Sequence, residues 1–139
     1  MARTRVAANP VYEDVAKLIL RLALGAMMLF HGLAKLGDGG ALRWIEGRLT
    51  EAGLPELLAY GVYIGEIVAP VMLIAGVYAR IGAGLVIINM LFAIGLAHTA
   101  ELVALNENGG YALELHVFYT FSALAIAVSG SGRLALKPD

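Results

Sequence analysis

Four apolar stretches, Lys17–Leu36, Leu54–Val77, Ile81–Thr99 and Tyr111–Ser129, divide this chain of 139 residues. Each has about the 20 residues needed to cross a hydrocarbon core of about 30 Å. They are rich in Leu, Ala, Ile, Val and Gly, and they lack the period-two alternation of a barrel strand. In lipid every backbone N–H and C=O must find its partner within the chain, which leaves the α-helix as the economical solution. The expected fold is therefore all-α: one transmembrane domain over residues 1–139, built as an antiparallel bundle of four transmembrane helices. Sixty per cent of the residues are hydrophobic and 15% are charged, and a soluble domain this small has too little interior to hide that much apolar surface.

The connections refine the picture. After Gly37-Asp38-Gly39-Gly40, residues Ala41–Glu51 carry Leu42, Ile45 and Leu49 on one side and read as a short amphipathic helix lying on the membrane surface. A tight turn is expected around Gly76–Arg80 and another at Asn108-Gly109-Gly110. Arg3, Arg5, Lys17, Arg80, Arg133 and Lys137 fall on one side and Arg43 and Arg48 on the other, so both termini are expected in the cytoplasm of a bacterial or archaeal inner membrane. The first stretch has no small-residue cleavage site after it and reads as a retained helix, not a signal peptide. A net charge of −1 offers no basic face for nucleic acid, and the absence of cysteine excludes disulfides, thiolate metal sites and thiol redox chemistry in this chain.

Ionisable residues inside spanning helices cost on the order of 2.5–3.5 kcal/mol each to insert and so point to function. Here they are Arg21, His31, Lys35, Glu66, His98, Glu114 and His116, with Asn89 as a neutral polar addition. Counting along each helix places all three histidines in the outer leaflet. His31 and Lys35 share a helix face, as do His98 and Glu101, whereas Glu114 and His116 diverge by about 200°; Glu114 is taken as the inward member. Asn89 is about 180° from His98 and is assigned a different contact. Glu66 has a further feature, because Pro70 four residues on has no N–H for the Glu66 carbonyl. A carboxylate and a freed carbonyl at mid-membrane suit a site that accepts protons, binds a cation or contacts a quinone. Trp44, Tyr60, Tyr63, Tyr78 and Tyr111 fit an interfacial aromatic belt. No HxxxH, ExxH or HxH pair occurs on one helix, so neither a metal site nor a haem is expected.

The stretches Leu20–Gly25, Phe30-His31-Gly32-Leu33-Ala34-Lys35-Leu36, Gly65-Glu66-Ile67-Val68-Ala69-Pro70, Gly76–Ala83 and Gly130–Leu136 occur in an order and spacing that resemble the DoxX family of small four-helix membrane proteins. Family members usually continue the last motif with Ser and then Asp after the Leu; this chain has Ala135 and Lys137. The resemblance implies a polytopic membrane subunit linked to redox chemistry, since relatives include the membrane subunit of a quinone-reducing thiosulfate oxidoreductase. Arg21, His31, Lys35, Glu66, Arg80, His98 and Arg133 match the family pattern.

The resulting expectation is an oxidoreductase membrane subunit without a covalent cofactor, which binds quinone through Glu66, His98 and His31 as reacting groups. Arg21, Lys35, Pro70, Glu101 and Glu114 would complete the ligand site. Its partners would be the lipid bilayer and either a redox protein or further copies of itself. A small proton-coupled transporter and a structural or assembly subunit are the alternatives.

Overall fold

The computed structural model describes residues 9–139; Arg3 and Arg5, used above for orientation, lie outside the described residues. Helix α1 spans Pro10–Gly37, capped by Asn9, whose side chain accepts from the Val11 N–H at 3.0 Å, and pre-set by proline in its first turn. At about 42 Å it is longer than the bilayer core, so its first turns extend beyond the apolar stretch read from the sequence. Asp38 alone interrupts the chain, in an extended conformation. Its carboxylate accepts from the Gly40 N–H at 2.9 Å and so starts α2, Gly39–Glu51, two residues before the expected boundary.

Helix α3, Glu56–Ala75, is a span made of unlike pieces. It opens with a 3₁₀ turn, Glu56–Tyr60, then widens at Ile64–Val68 into a π turn in which the Ala69 N–H reaches back to the Ile64 carbonyl. Regular α-helix resumes over Ala69–Ala75, with Pro70 near its start. Helix α4 covers Ala79–Ala97 and α5 covers Glu114–Ser129. The expected start of the last helix at Tyr111 moves to Glu114, because Tyr111 is held in a hairpin-like pairing with Leu105 and its hydroxyl donates to the Leu102 carbonyl at 2.7 Å. The Asn106 side chain closes that turn by accepting from the Asn108 and Gly110 N–H groups.

Helices α1, α3 and α4 are long and apolar enough to cross a membrane, and α5 is a shorter apolar helix of 16 residues. Phe30, Ile81, Leu91, Phe118, Phe121 and Val128 all point outward and stay exposed, the arrangement of helices solvated by lipid. This is a multi-pass membrane protein. Its interior is lined by Leu24, Met28, Ala69, Leu73, Ala83, Val86, Met90, Ala123 and Ile126, a set dominated by small and flexible side chains. Close helix approach takes the place of a large hydrophobic core. Gly32 of α1 makes the tightest crossing: a Cβ there would overlap the Glu66 carbonyl oxygen and lie 2.6 Å from Ile67 Cγ1.

At the end of the bundle opposite α2, residues 130–139 fold back over the helix ends. Arg21, fully buried, donates from Nε to the Ser131 carbonyl (3.0 Å) and from its terminal nitrogens to Leu73 (2.7 Å) and Leu134 (2.5 Å). Arg133 pairs with Asp14 at 2.6 Å. Arg80 donates to the Ala127 and Val128 carbonyls at the end of α5, while its own N–H and that of Ser131 donate to the Asp139 carboxylate.

Candidate functional site

The wide π turn and Pro70 bring the Glu66 carboxylate, only 5% exposed, into the half of the bundle that α2 covers. Lys35 of α1 forms an ion pair with Glu66 Oε2, and Asn89 of α4 donates to Glu66 Oε1 at 3.2 Å. Both carboxylate oxygens are thereby held, which offsets part of the cost of burying the charge. Asn89 reaches this position because Gly65, beside Glu66, has no side chain: a Cβ at Gly65 would run into the Asn89 side chain.

This triad opens onto a cavity of about 450 Å³ between all five helices, a size within the range of small-molecule sites. Met28, Trp44, Ile45, Leu49, Ile64 and Met90 supply apolar wall. His31, at the cavity margin, lies 3.4 Å from the Tyr119 hydroxyl, with the rings edge-on. His98 and His116 pack against each other at a tilt on the far wall, with centroids 4.6 Å apart. The His98 Nδ1–H donates to Glu101 Oε1 at 3.1 Å, and His116 Nδ1 is buried without a hydrogen-bond partner among the described residues. Arg48 of α2 donates to the Leu96 carbonyl through Nε and a terminal nitrogen (3.0 and 2.8 Å). It fixes α2 to the end of α4 and roofs the cavity. Ile64, Ile88, Phe92 and Leu115 line the cavity and are also exposed on the lipid-facing surface, so the space communicates sideways with the bilayer.

Of the residues singled out from the sequence, His31, Lys35, Glu66 and His98 line this cavity. Glu101 stands behind His98. Pro70 does not line it; its carbonyl packs against Gly25 and its missing N–H shapes the turn that carries Glu66. Arg21 lies outside the cavity, because its donors are engaged by the 130–139 segment and the end of α3. Glu114 is outside as well, exposed and 3.5 Å from Asn106. His116 is the member of that pair that faces inward. The signal was present in the spacing: His116, Tyr119, Ala123 and Ile126 fall on one helical face, and the last two are buried core. Asn89, assigned elsewhere by helical phase, shares the cavity with His98 because α4 ends at Ala97 and His98 leaves the helical path (φ −127°, ψ 16°). Sequence reasoning also missed Arg48, hidden within a segment read only as surface-lying, and Tyr119, a lone aromatic in an apolar run. Among the described residues no cluster of three or more metal-ligating side chains forms.

The polar groups follow one another in sequence from α1 to α5, and residues 16–99, which hold His31, Lys35, Arg48, Glu66, Asn89 and His98, match the model of the DoxX family. The chain belongs to the DoxX family. Among curated proteins it is 29% identical over 126 residues to a Bacillus subtilis protein named "Putative oxidoreductase CatD", covering 90% of this chain and 87% of the relative. It is 32% identical over 136 residues to an uncharacterized protein of Haemophilus influenzae, covering 90% of each. No solved structure matches significantly. Glu101, His116 and Tyr119 lie beyond the residues that the family model matches.

Proposed function

We propose that this DoxX-family chain is the membrane subunit of an oxidoreductase system and that its cavity binds a quinone headgroup. The observation that carries the reading is a lipid-connected apolar cavity on which a buried carboxylate–lysine pair and three imidazoles converge. An isoprenoid tail would lie in the bilayer beside Ile88, Phe92 and Leu115. Lys35, His31, His116 and the Tyr119 hydroxyl offer donors to the two ring oxygens. Reduction of a quinone to its hydroquinone takes two electrons and two protons, with each carbonyl oxygen gaining one O–H bond. The electrons come from a partner protein carrying a redox cofactor, and the protons pass through the Glu66–Lys35 pair and the histidines. The related protein named as an oxidoreductase supports the redox class.

In this reading both termini are cytoplasmic and the cavity lies in the outer half of the membrane. Lys17, Arg80, Arg133 and Lys137 gather at the end opposite α2, as cytoplasmic retention of Lys and Arg requires. The test is thermal unfolding of the purified protein with short-tailed ubiquinone or menaquinone analogues. A rise in the unfolding temperature of the wild type that is absent in Glu66→Gln is expected; a wild type indifferent to both analogue classes overturns the proposal.

A further inference from the structure

We infer that Glu101, His98 and His116 form a proton path from the membrane surface into the cavity, with His116 as the group that exchanges a proton with the bound ligand. The inference rests on the quinone reading for the identity of the ligand but not for the path. Glu101 sits in a short turn just after α4, with its side chain 45% exposed, and its Oε1 accepts from His98 Nδ1 at 3.1 Å. With Nδ1 carrying the proton, the Nε2 of neutral His98 is an acceptor. The His98 side chain is 31% exposed and reaches both the surface turn and the cavity wall. Its ring packs at a tilt against that of His116, with centroids 4.6 Å apart and an interplanar angle of 55°; a small rotation of either ring, or a single water, would carry a proton from one to the next.

His116 is the inner terminus because its half-buried ring lines the cavity beside that of His98. Its Nδ1 is shut off from solvent and has no hydrogen-bond partner among the described residues, so the ring's other nitrogen is the one left to meet a ligand oxygen or a transferred proton. The titratable groups facing this pair are His31 and Lys35 from α1, Arg48 from α2, Glu66 from α3 and Tyr119 from α5. Lys35 and Glu66 are paired with each other and Arg48 is held by the Leu96 carbonyl, while His31 lies beside the Tyr119 hydroxyl on the other side of the cavity. In each transfer an N–H bond on one ring breaks as another forms on its neighbour. The proton lost by His116 to a ligand oxygen is replaced by the Nε2 proton of a His98 imidazolium, which forms when Nε2 takes a proton from surface water while the Nδ1–H stays on Glu101.

The path is tested on ligand-free protein. Histidine labelled with ¹⁵N in phosphatidylcholine nanodiscs gives, by NMR, the exchange rate of the His116 ring N–H with water from pH 5 to 8. His98→Phe, which keeps a ring in the wall, is expected to slow that exchange on the order of tenfold. Glu101→Gln, a surface change that keeps the fold if His98→Phe does not, is expected to slow it in the same sense. A His116 rate unchanged in whichever folded variant is measured overturns the path. Because no quinone is present, failure of the quinone proposal shows only in the thermal-shift experiment, and failure of the path only here.

Discussion

At the residue scale, the site depends on a few contacts that allow almost no substitution. Gly32 lets α1 touch the Glu66 carbonyl, so Gly32→Val is expected to destabilise the protein by about 1–3 kcal/mol, the range for overpacking a tight interior. Denaturant unfolding in detergent micelles measures it. Glu66, His31, Lys35 and His98 were legible from depth alone, because charge inside an apolar run has few innocent explanations. The choice between Glu114 and His116 was not legible from charge; it lay in the spacing of His116, Tyr119, Ala123 and Ile126 along one helical face, the last two of which are buried core. Arg21 drew attention for the right physical reason, the cost of a buried cation, but that cost is met by backbone carbonyls instead of a ligand. Arg21→Met leaves the Ser131, Leu73 and Leu134 carbonyls without their donor, at about 1–3 kcal/mol for each that stays dry. A lowered unfolding temperature with an unaltered quinone response is the expected pair of results.

Among the elements, α2 and the 130–139 segment close the two ends of the bundle. The amphipathic pattern of α2 was readable, but its role as a roof was not, since it depends on Arg48 reaching the end of α4. Nothing in the sequence announced the return of residues 130–139 either, because short stretches of Gly, Ser and Ala carry no periodicity. That segment gives a pH-dependent prediction. Burial pushes the Asp139 carboxyl upward, but hydrogen bonds from the N–H groups of Arg80 and Ser131 outweigh it and hold the group below the usual carboxylate range. A lowered folded pKa stabilises the docked segment fully above the unfolded value of about 3.9, and the stabilisation is lost as pH falls through the folded value. Amide hydrogen exchange over residues 131–139, corrected for its intrinsic pH dependence, should therefore show weakening protection below about pH 4. Asp139→Asn should weaken that trend, leaving the part that Asp14 contributes through Arg133.

For the whole molecule, the number and order of apolar helices followed from apolar length, three of them long enough to cross a membrane and the last one shorter. The break in α3 was foreseeable only as far as Pro70, since a π turn needs the tertiary crossing with α1 to hold it open. The orientation makes its own prediction, convenient in a chain without cysteine. Asn108→Cys in intact cells should react with a membrane-impermeant maleimide, and Lys137→Cys should react only after permeabilisation; the reverse pattern would invert the topology. The central claim, a quinone held by the Glu66 cavity, is tested most directly by mass spectrometry of organic extracts from gently purified wild type and Glu66→Gln. The account predicts quinone near one per chain in the wild type and about tenfold less in the variant, equivalent to about 1.4 kcal/mol of binding. Extracts from both that hold phospholipid alone would contradict it.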